Sequence, residues 1–344
     1  MNAIRVEAHG GVDRLLRASL PTPEPGPAQV RVQVKAVALN HLDLWVRRGV
    51  PGHRFPLPMV PGSDIAGVVD ALGAGVDDGW LGRRVALYPA SSCGRCAACV
   101  RGEQNRCRHY AIRGEGQDGG CAEYVIAGIE DLLPLPEDLG LVDAAAIPLA
   151  TLTAWHMLAR ARARSGELVL VLAGSSGVGA AAIRVANALG CRVYATAGTD
   201  EKRDFALDQG AHAVLPHEAG FDFARALKQR TDGRGADVVV EHTGAATIER
   251  SLRALAWGGR LVTCGATTGA EAKLDLRALF FKQQELIGST MGNRGDMLDI
   301  WTHVAAGRLR AAVSQILPMR QIAEAHTRLE SGLVLGKVVL SADF

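Results

Sequence analysis

The sequence predicts an α/β protein in which a doubly wound parallel sheet is joined to a smaller-element, β-rich domain. Two observations carry this. From about residue 150 to 290, short apolar runs alternate with segments of helical period. A glycine-rich turn joins the first of those runs to the first of those helices. Residues 1 to about 140, by contrast, show strands without any strand–helix rhythm, so they form a different domain.

The glycine turn organises the rest. Leu168 to Ala173 is apolar throughout and reads as a strand buried on both faces. Gly174-Ser175-Ser176-Gly177-Val178-Gly179 follows, with Ser176 where G-x-G-x-x-G has its middle glycine. Val178, Ala182, Val185 and Leu189 then line one face of a helix, which Gly190 stops before the next strand, Arg192–Ala197. Backbone N–H groups at such a helix start lack intrahelical partners and suit the diphosphate of a dinucleotide. NAD enzymes carry an acid about 20 residues beyond the glycines to hold the ribose 2′-hydroxyl. Here that position reads Ala197-Gly198-Thr199. No carboxylate repels a 2′-phosphate, so NADP is expected in preference to NAD.

Bulk properties exclude other classes. The 344 residues suffice for two domains, and 48% hydrophobic with 22% charged residues is ordinary for a globular chain. A net charge of +2 gives no reason to expect nucleic acid or an anionic membrane as partner. No apolar run approaches the roughly 20 residues of a membrane span. MNAIRVEAHG at the start lacks the apolar core of a signal peptide. A cytoplasmic enzyme acting on a small molecule is the expectation.

Taken in order, Pro21 to Pro27 is a stiff loop before a half-buried strand in which Val30, Val32 and Val34 alternate with polar residues. Ile65–Leu72 and Val85–Tyr88 read as further strands. Cys93, Cys96, Cys99 and Cys107 follow as C-x2-C-x2-C-x7-C. In a cytoplasmic chain such clustering means metal, and four thiolates close the shell of a structural Zn²⁺. Arg95, Arg101 and Arg106 lie in the same loop and offset its negative charge; an iron–sulfur cluster or a disulfide loop are the alternatives. Cys121, Cys191 and Cys264 read as buried core residues. A long helical stretch from Val142 leads into the parallel sheet. Its later strands are Ala213–Leu215, Asp237–Glu241, Arg260–Cys264 and Glu285–Ile287. Its later helices are Glu201–Gln209, Asp222–Thr231 and Thr247–Ala256. A helix carrying Trp301, a strand Gln315–Leu317, a helix from Gln321 and a strand Lys337–Leu340 rejoin the first domain.

These motifs, with Asn40-His41-Leu42-Asp43, Pro61-Gly62-Ser63-Asp64, Cys121-Ala122-Glu123-Tyr124 and the terminal Gly336-Lys337-Val338-Val339-Leu340, resemble the medium-chain dehydrogenase/reductase superfamily over essentially the whole chain. The superfamily includes zinc-type alcohol dehydrogenases and quinone oxidoreductases. The resemblance implies a Rossmann domain at 151–292 and a GroES-like catalytic domain at 1–150 and 293–344, with a structural zinc lobe at 93–107. It implies that Thr153, Lys202, Thr243, Thr290 and Lys337 reach the cofactor; the Gly174–Gly179 turn, Thr199 and Gly265 are expected there because they stand at the carboxyl edge of the strands, where ligands bind in such sheets. It further implies a homodimer or homotetramer formed through the Leu286–Gly292 edge; a cleft between two domains is a common place for a ligand site.

The departures bear on the chemistry. Zinc alcohol dehydrogenases hold a catalytic Zn²⁺ with a cysteine, a His-Glu pair and a later cysteine or acid. Those positions read Asn40, Ser63-Asp64 and, nearby, Leu149, while the proton-relaying hydroxyl aligns with Leu42. Asn40 instead matches an asparagine beside the nicotinamide in metal-free quinone oxidoreductases, and Trp45 aligns with a tyrosine of some of them and shapes an apolar pocket. The expectation is an NADPH-dependent reductase of quinones, enones or reactive carbonyls, with Asn40, His41 and Asp43 in its active site. His41 donates to the substrate oxygen, or only bonds nearby backbone; Asp43 orients His41, or only caps the following helix. The alternatives are a zinc-dependent alcohol dehydrogenase with substitute ligands such as His41, Asp43 and Asp64, and a non-catalytic NADPH-binding protein.

Overall fold

The computed structural model describes residues 1–344. It forms two compact units, one of residues 1–150 with 293–344 and the other of residues 151–292.

In the 151–292 unit the strands, in chain order, are Leu168–Val171, Arg192–Ala197, Ala213–Pro216, Ala236–Glu241, Leu255–Thr263 and Glu285–Gly288. All pairings are parallel, and the spatial order is third, second, first, fourth, fifth, sixth. Strands covered by helices on both faces need apolar residues on both, and the first strand is buried at every position. Helix Gly177–Ala188 packs Ala182, Ile183, Val185 and Ala186 inward and ends at Gly190, whose φ of +79° only glycine adopts freely. Leu170, Val239, Leu261, Phe223 and Leu227 share one core.

Element ends differ from the expected ones for local reasons. The first strand stops at Val171 because Ala173 already turns with φ +46°. The helix expected to run to Ala256 is Ile248–Ala254, and a strand starts at Leu255. Its register jumps from Ala236↔Leu255 to Val238↔Arg260, a bulge absorbing Trp257-Gly258-Gly259, with Gly258 at φ +68°. The stretch from Val142 is two helices, Leu141–Ala145 and Pro148–Arg160, because Pro148 suits a helix start and no interior position.

The other unit is built around strand Gln29–Ala38. It pairs antiparallel with Asp64–Leu72, with Tyr124–Gly128 and with the last strand, Lys337–Ser341. Val313–Pro318 adds in parallel beyond Lys337–Ser341, and Arg84–Leu87 and Leu132–Pro134 extend the sheet on the far side. Val30, Val32 and Val34 are buried in its core, while the intervening Arg31 is half-buried on Asp70. Trp301, on helix Arg294–Ala305, donates its indole N–H to the Pro134 carbonyl at 2.7 Å. No helix is long and apolar enough to cross a membrane.

Candidate cofactor site and active site

In the 151–292 unit the turn from first strand to first helix is as close as its glycines allow. A Cβ on Gly179 would lie 2.2 Å from the Ala173 carbonyl oxygen, and one on Gly174 would lie 2.9 Å from the Ala195 methyl. Ser176 is the helix N-cap: its Oγ accepts from the Gly179 N–H at 3.0 Å and lies 2.9 Å from His242 Nε2. Thr199, Thr243, Gly265 and Thr290 all lie just past the carboxyl ends of strands, the ligand edge of such a sheet. Gly265 admits the His242 carbonyl, which a Cβ would approach to 2.7 Å. Thr243 Oγ1 is buried and has no hydrogen-bond partner, so it suits a ligand at that edge. Thr153 directs its hydroxyl to Met291 Sδ at 3.8 Å. Beyond Ala197, Thr199 Oγ1 caps helix Asp200–Asp208 by accepting from Lys202 N. Arg203 is engaged by Asp200 and the Gly198 carbonyl. The glycine turn and these strand ends lie along the ligand edge of the sheet, which suits a dinucleotide, and Lys202 is the basic side chain adjacent to the acid-free strand end.

In the other unit, antiparallel register builds a second cluster. Ala38 faces Asp64 on one side and Val339 on the other, so residues just beyond the strand end meet the first residues of both neighbours. Lys337 Nζ donates to Asn40 Oδ1 at 2.5 Å and to Asp64 Oδ2 at 2.9 Å. Asn40 Nδ2 also donates to Asp64 Oδ2 at 2.9 Å, and the Leu149 N–H donates to Asp64 Oδ1 at 2.7 Å. Asp64 is fully buried and Lys337 nearly so. Asp43 accepts from the backbone N–H of Asn40 at 2.7 Å and of Gly62 at 3.1 Å. Burial pushes its carboxyl up to about 6, against the Asn40 amide and the Lys337 charge.

Asn40 and Asp43 are thus fastened to protein partners. His41, the first residue of helix His41–Arg48, is accessible. Desolvation by the surrounding protein, with the Lys337 and Arg48 charges, holds its imidazole below the usual range. It is therefore neutral at pH 7 and carries one ring N–H to donate. Trp45 packs half-buried beside Val46, Phe55 and Met59. Ser63 Oγ is buried without a partner. Lys337, expected to reach the cofactor, is the hub of this cluster, a place that sequence reasoning did not assign it; only the pairing of strands nearly 300 residues apart reveals it.

Cys93, Cys96, Cys99 and Cys107 converge. Their sulfurs all lie within 4.8 Å of one another, with 3.5 Å from Cys107 to Cys93 and 3.6 Å from Cys96 to Cys99. Zn–S bonds of about 2.3 Å in a tetrahedron set sulfurs about 3.8 Å apart, so the four fit zinc. No other group of three or more His, Cys, Asp or Glu side chains is arranged to hold a metal. Asn40, Ser63, Asp64 and Leu149 offer one carboxylate, already taken by three donors, and so do not fit a catalytic zinc. Arg101 and Arg106 both lie on Glu103 at the lobe surface.

Residues 26–137 match the family model described as alcohol dehydrogenase GroES-like domain, and residues 177–306 the one described as zinc-binding dehydrogenase. The chain is 30% identical to human quinone oxidoreductase over 99% of its own length and 97% of that protein. It is 30% identical to an alcohol dehydrogenase of Geobacillus stearothermophilus over 93% and 94% of the two chains. A solved structure described as an NAD-dependent alcohol dehydrogenase superposes with a TM-score of 0.95 at 45% identity, covering 99% of this chain and all of that one.

Proposed function

Because the chain belongs to the medium-chain dehydrogenase/reductase superfamily and is an NAD(P)-dependent oxidoreductase, we propose that it uses NADPH to reduce quinones, enones or reactive carbonyls without a catalytic metal. The observation that carries this reading is the Lys337 ammonium lodged between Asp64 and Asn40. A fixed positive charge there repels a divalent cation and occupies the oxygens that would ligate it.

The nicotinamide, when bound, supplies the hydride. An acceptor with its own π system spreads the incoming charge onto its oxygen, so the protein needs to position it and donate hydrogen bonds. His41, neutral with one ring N–H, is the donor to that oxygen. Asn40 and Asp43 hold the backbone that carries His41: Asn40 through Lys337 and Asp64, and Asp43 through the Asn40 and Gly62 amides. Trp45 supplies an apolar wall. The four cysteines hold one structural zinc.

Metal-free purification followed by elemental analysis should find one zinc per chain, and the same protein should oxidise NADPH with quinones or enones. Two zincs per chain with alcohol oxidation would replace this reading by a zinc alcohol dehydrogenase; NADPH binding with no turnover would replace it by a binding protein. NADPH should exceed NADH in kcat/KM by about tenfold or more. The NAD dependence of the solved relative at 45% identity favours NADH as the second reading, and a ratio below one would establish it.

We also infer a homodimer joined through the outer strand Glu285–Gly288, which pairs only with Leu255–Thr263. Beside it Trp257, Leu276, Phe280 and Phe281 are each about two-thirds exposed, with the Trp257 and Phe281 rings 5.4 Å apart. Such a patch next to an unpaired strand edge suits a second copy. Light scattering after size exclusion should give twice the chain mass, and Phe280→Asp with Phe281→Asp should halve it. A wild-type monomer would end the proposal.

A further inference from the structure

His242 is the first residue beyond strand Ala236–Glu241, and nothing in the cofactor reading uses it. Three features fix where it stands. The spatial strand order reverses between the first and fourth strands, Leu168–Val171 and Ala236–Glu241, which pair directly. In an open parallel sheet the ligand crevice opens at the carboxyl ends of that pair. One wall of the crevice is the glycine turn ending in Ser176, and the other is His242. Their side chains touch, with Ser176 Oγ 2.9 Å from His242 Nε2.

The backbone under His242 is braced on every side. The fully buried Glu241 carboxylate accepts from Thr243 N at 2.7 Å, Gly244 N at 3.2 Å, Thr247 Oγ1 at 2.9 Å and Ser251 Oγ at 2.6 Å. Gly265 leaves just enough room for the His242 carbonyl. The imidazole is therefore presented from a rigid turn, half-buried, at the cap of helix Gly177–Ala188. The neighbouring Thr243 is nine-tenths buried with its Oγ1 lacking any hydrogen-bond partner. A buried orphan hydroxyl at this edge is an independent sign that a polar ligand completes the crevice.

The substitution at the motif's middle glycine gives His242 a specific task. With Ser176 there, one helix-start N–H, that of Gly179, is spent on the Ser176 hydroxyl rather than left for an anion. An imidazole bonded to that same hydroxyl brings a polar ring back to the place an anion would occupy.

We propose that His242 is a dinucleotide-binding residue, contacting the diphosphate of the bound cofactor from the wall opposite the glycine turn. The assignment rests on the reading of that turn as the cofactor site.

The test measures dissociation constants of NADPH by its own fluorescence, and of ADP and AMP by competition, for the wild type, His242→Ala and His242→Gln. The wild type should bind NADPH, which is the reading underneath; absence of binding there would remove that reading and this one together. Given wild-type binding, His242→Ala should weaken NADPH and ADP about tenfold and leave AMP within twofold, because AMP lacks the second phosphate. A merely structural tie would lower the melting temperature and shift ADP and AMP alike, and that result would overturn the proposal, as would unchanged affinities. If His242→Ala fails to fold, His242→Gln, which keeps a hydrogen bond to Ser176 but lacks the imidazole ring, decides the matter by the same ADP-to-AMP comparison.

Discussion

Replacing Lys337 with methionine is expected to lower the free energy of unfolding by about 3–5 kcal/mol, the cost of leaving a buried carboxylate without its countercharge. Asp64 has no exposed surface, and two of its donors, the Leu149 amide and the Asn40 side chain, are neutral. Methionine matches the lysine stem in length, so packing is kept and the loss reports the charge. The loss should shrink to under about 2 kcal/mol when Asp64→Asn is added, since both charges are then gone and the amide still accepts from Leu149. Urea unfolding of the four proteins of that cycle measures it. Equal losses in Lys337→Met with and without Asp64→Asn would mean that the ammonium does not serve Asp64. Activity should fall with Lys337→Met as well, because Asn40, which begins the helix of His41, loses the partner of its carbonyl oxygen.

The second large effect belongs to the cysteine lobe. Cys99→Ser should release the zinc and lower the melting temperature by about 10 °C. Regular structure in the lobe is limited to helix Ala97–Val100 and a turn at Gln104–Arg106. With so little packing of its own, the loop depends on the metal, and structural zinc binds small domains with about 10–16 kcal/mol of apparent free energy. Only part of that is shared with the surrounding unit; about 4 kcal/mol shared gives the stated shift for a unit of this size. Zinc release in a chromogenic chelator assay and a thermal scan check both halves. A Cys99→Ser protein that keeps its zinc, or a wild type that never held any, would remove the structural site.

The parallel sheet was legible because burial on both faces writes itself as uninterrupted apolar runs, and Gly174 and Gly190 punctuate them. The hairpin Asn2–Val6 with Leu15–Ser19 was not, since its second strand is exposed at most positions and carries no apolar period. The bulge around Trp257-Gly258-Gly259 hid a strand start behind a helical period, because Leu255 and Ala256 are apolar and buried, as the inner face of a helix would be. The cysteine cluster was legible from spacing alone, as ligands close in sequence need only a tight loop to meet. The Lys337 cluster was not: its members are gathered by registers between strands far apart in the chain, and local pattern says nothing about which strands will pair.

The Lys337–Asp64 pair also sets an order of events during synthesis. The two residues are 273 positions apart, with the whole parallel-sheet unit encoded between them. A ribosome adding about 5–20 residues per second spends roughly 14–55 s between making the acid and making its base. Throughout that interval the edge of strand Gln29–Ala38 that receives Lys337–Ser341 stays open, while the inserted unit can complete its own six strands first. Strands Asp64–Leu72 and Tyr124–Gly128 can pair with Gln29–Ala38 as soon as they are made, but the edge that takes Lys337–Ser341 closes only after the parallel-sheet unit has been made.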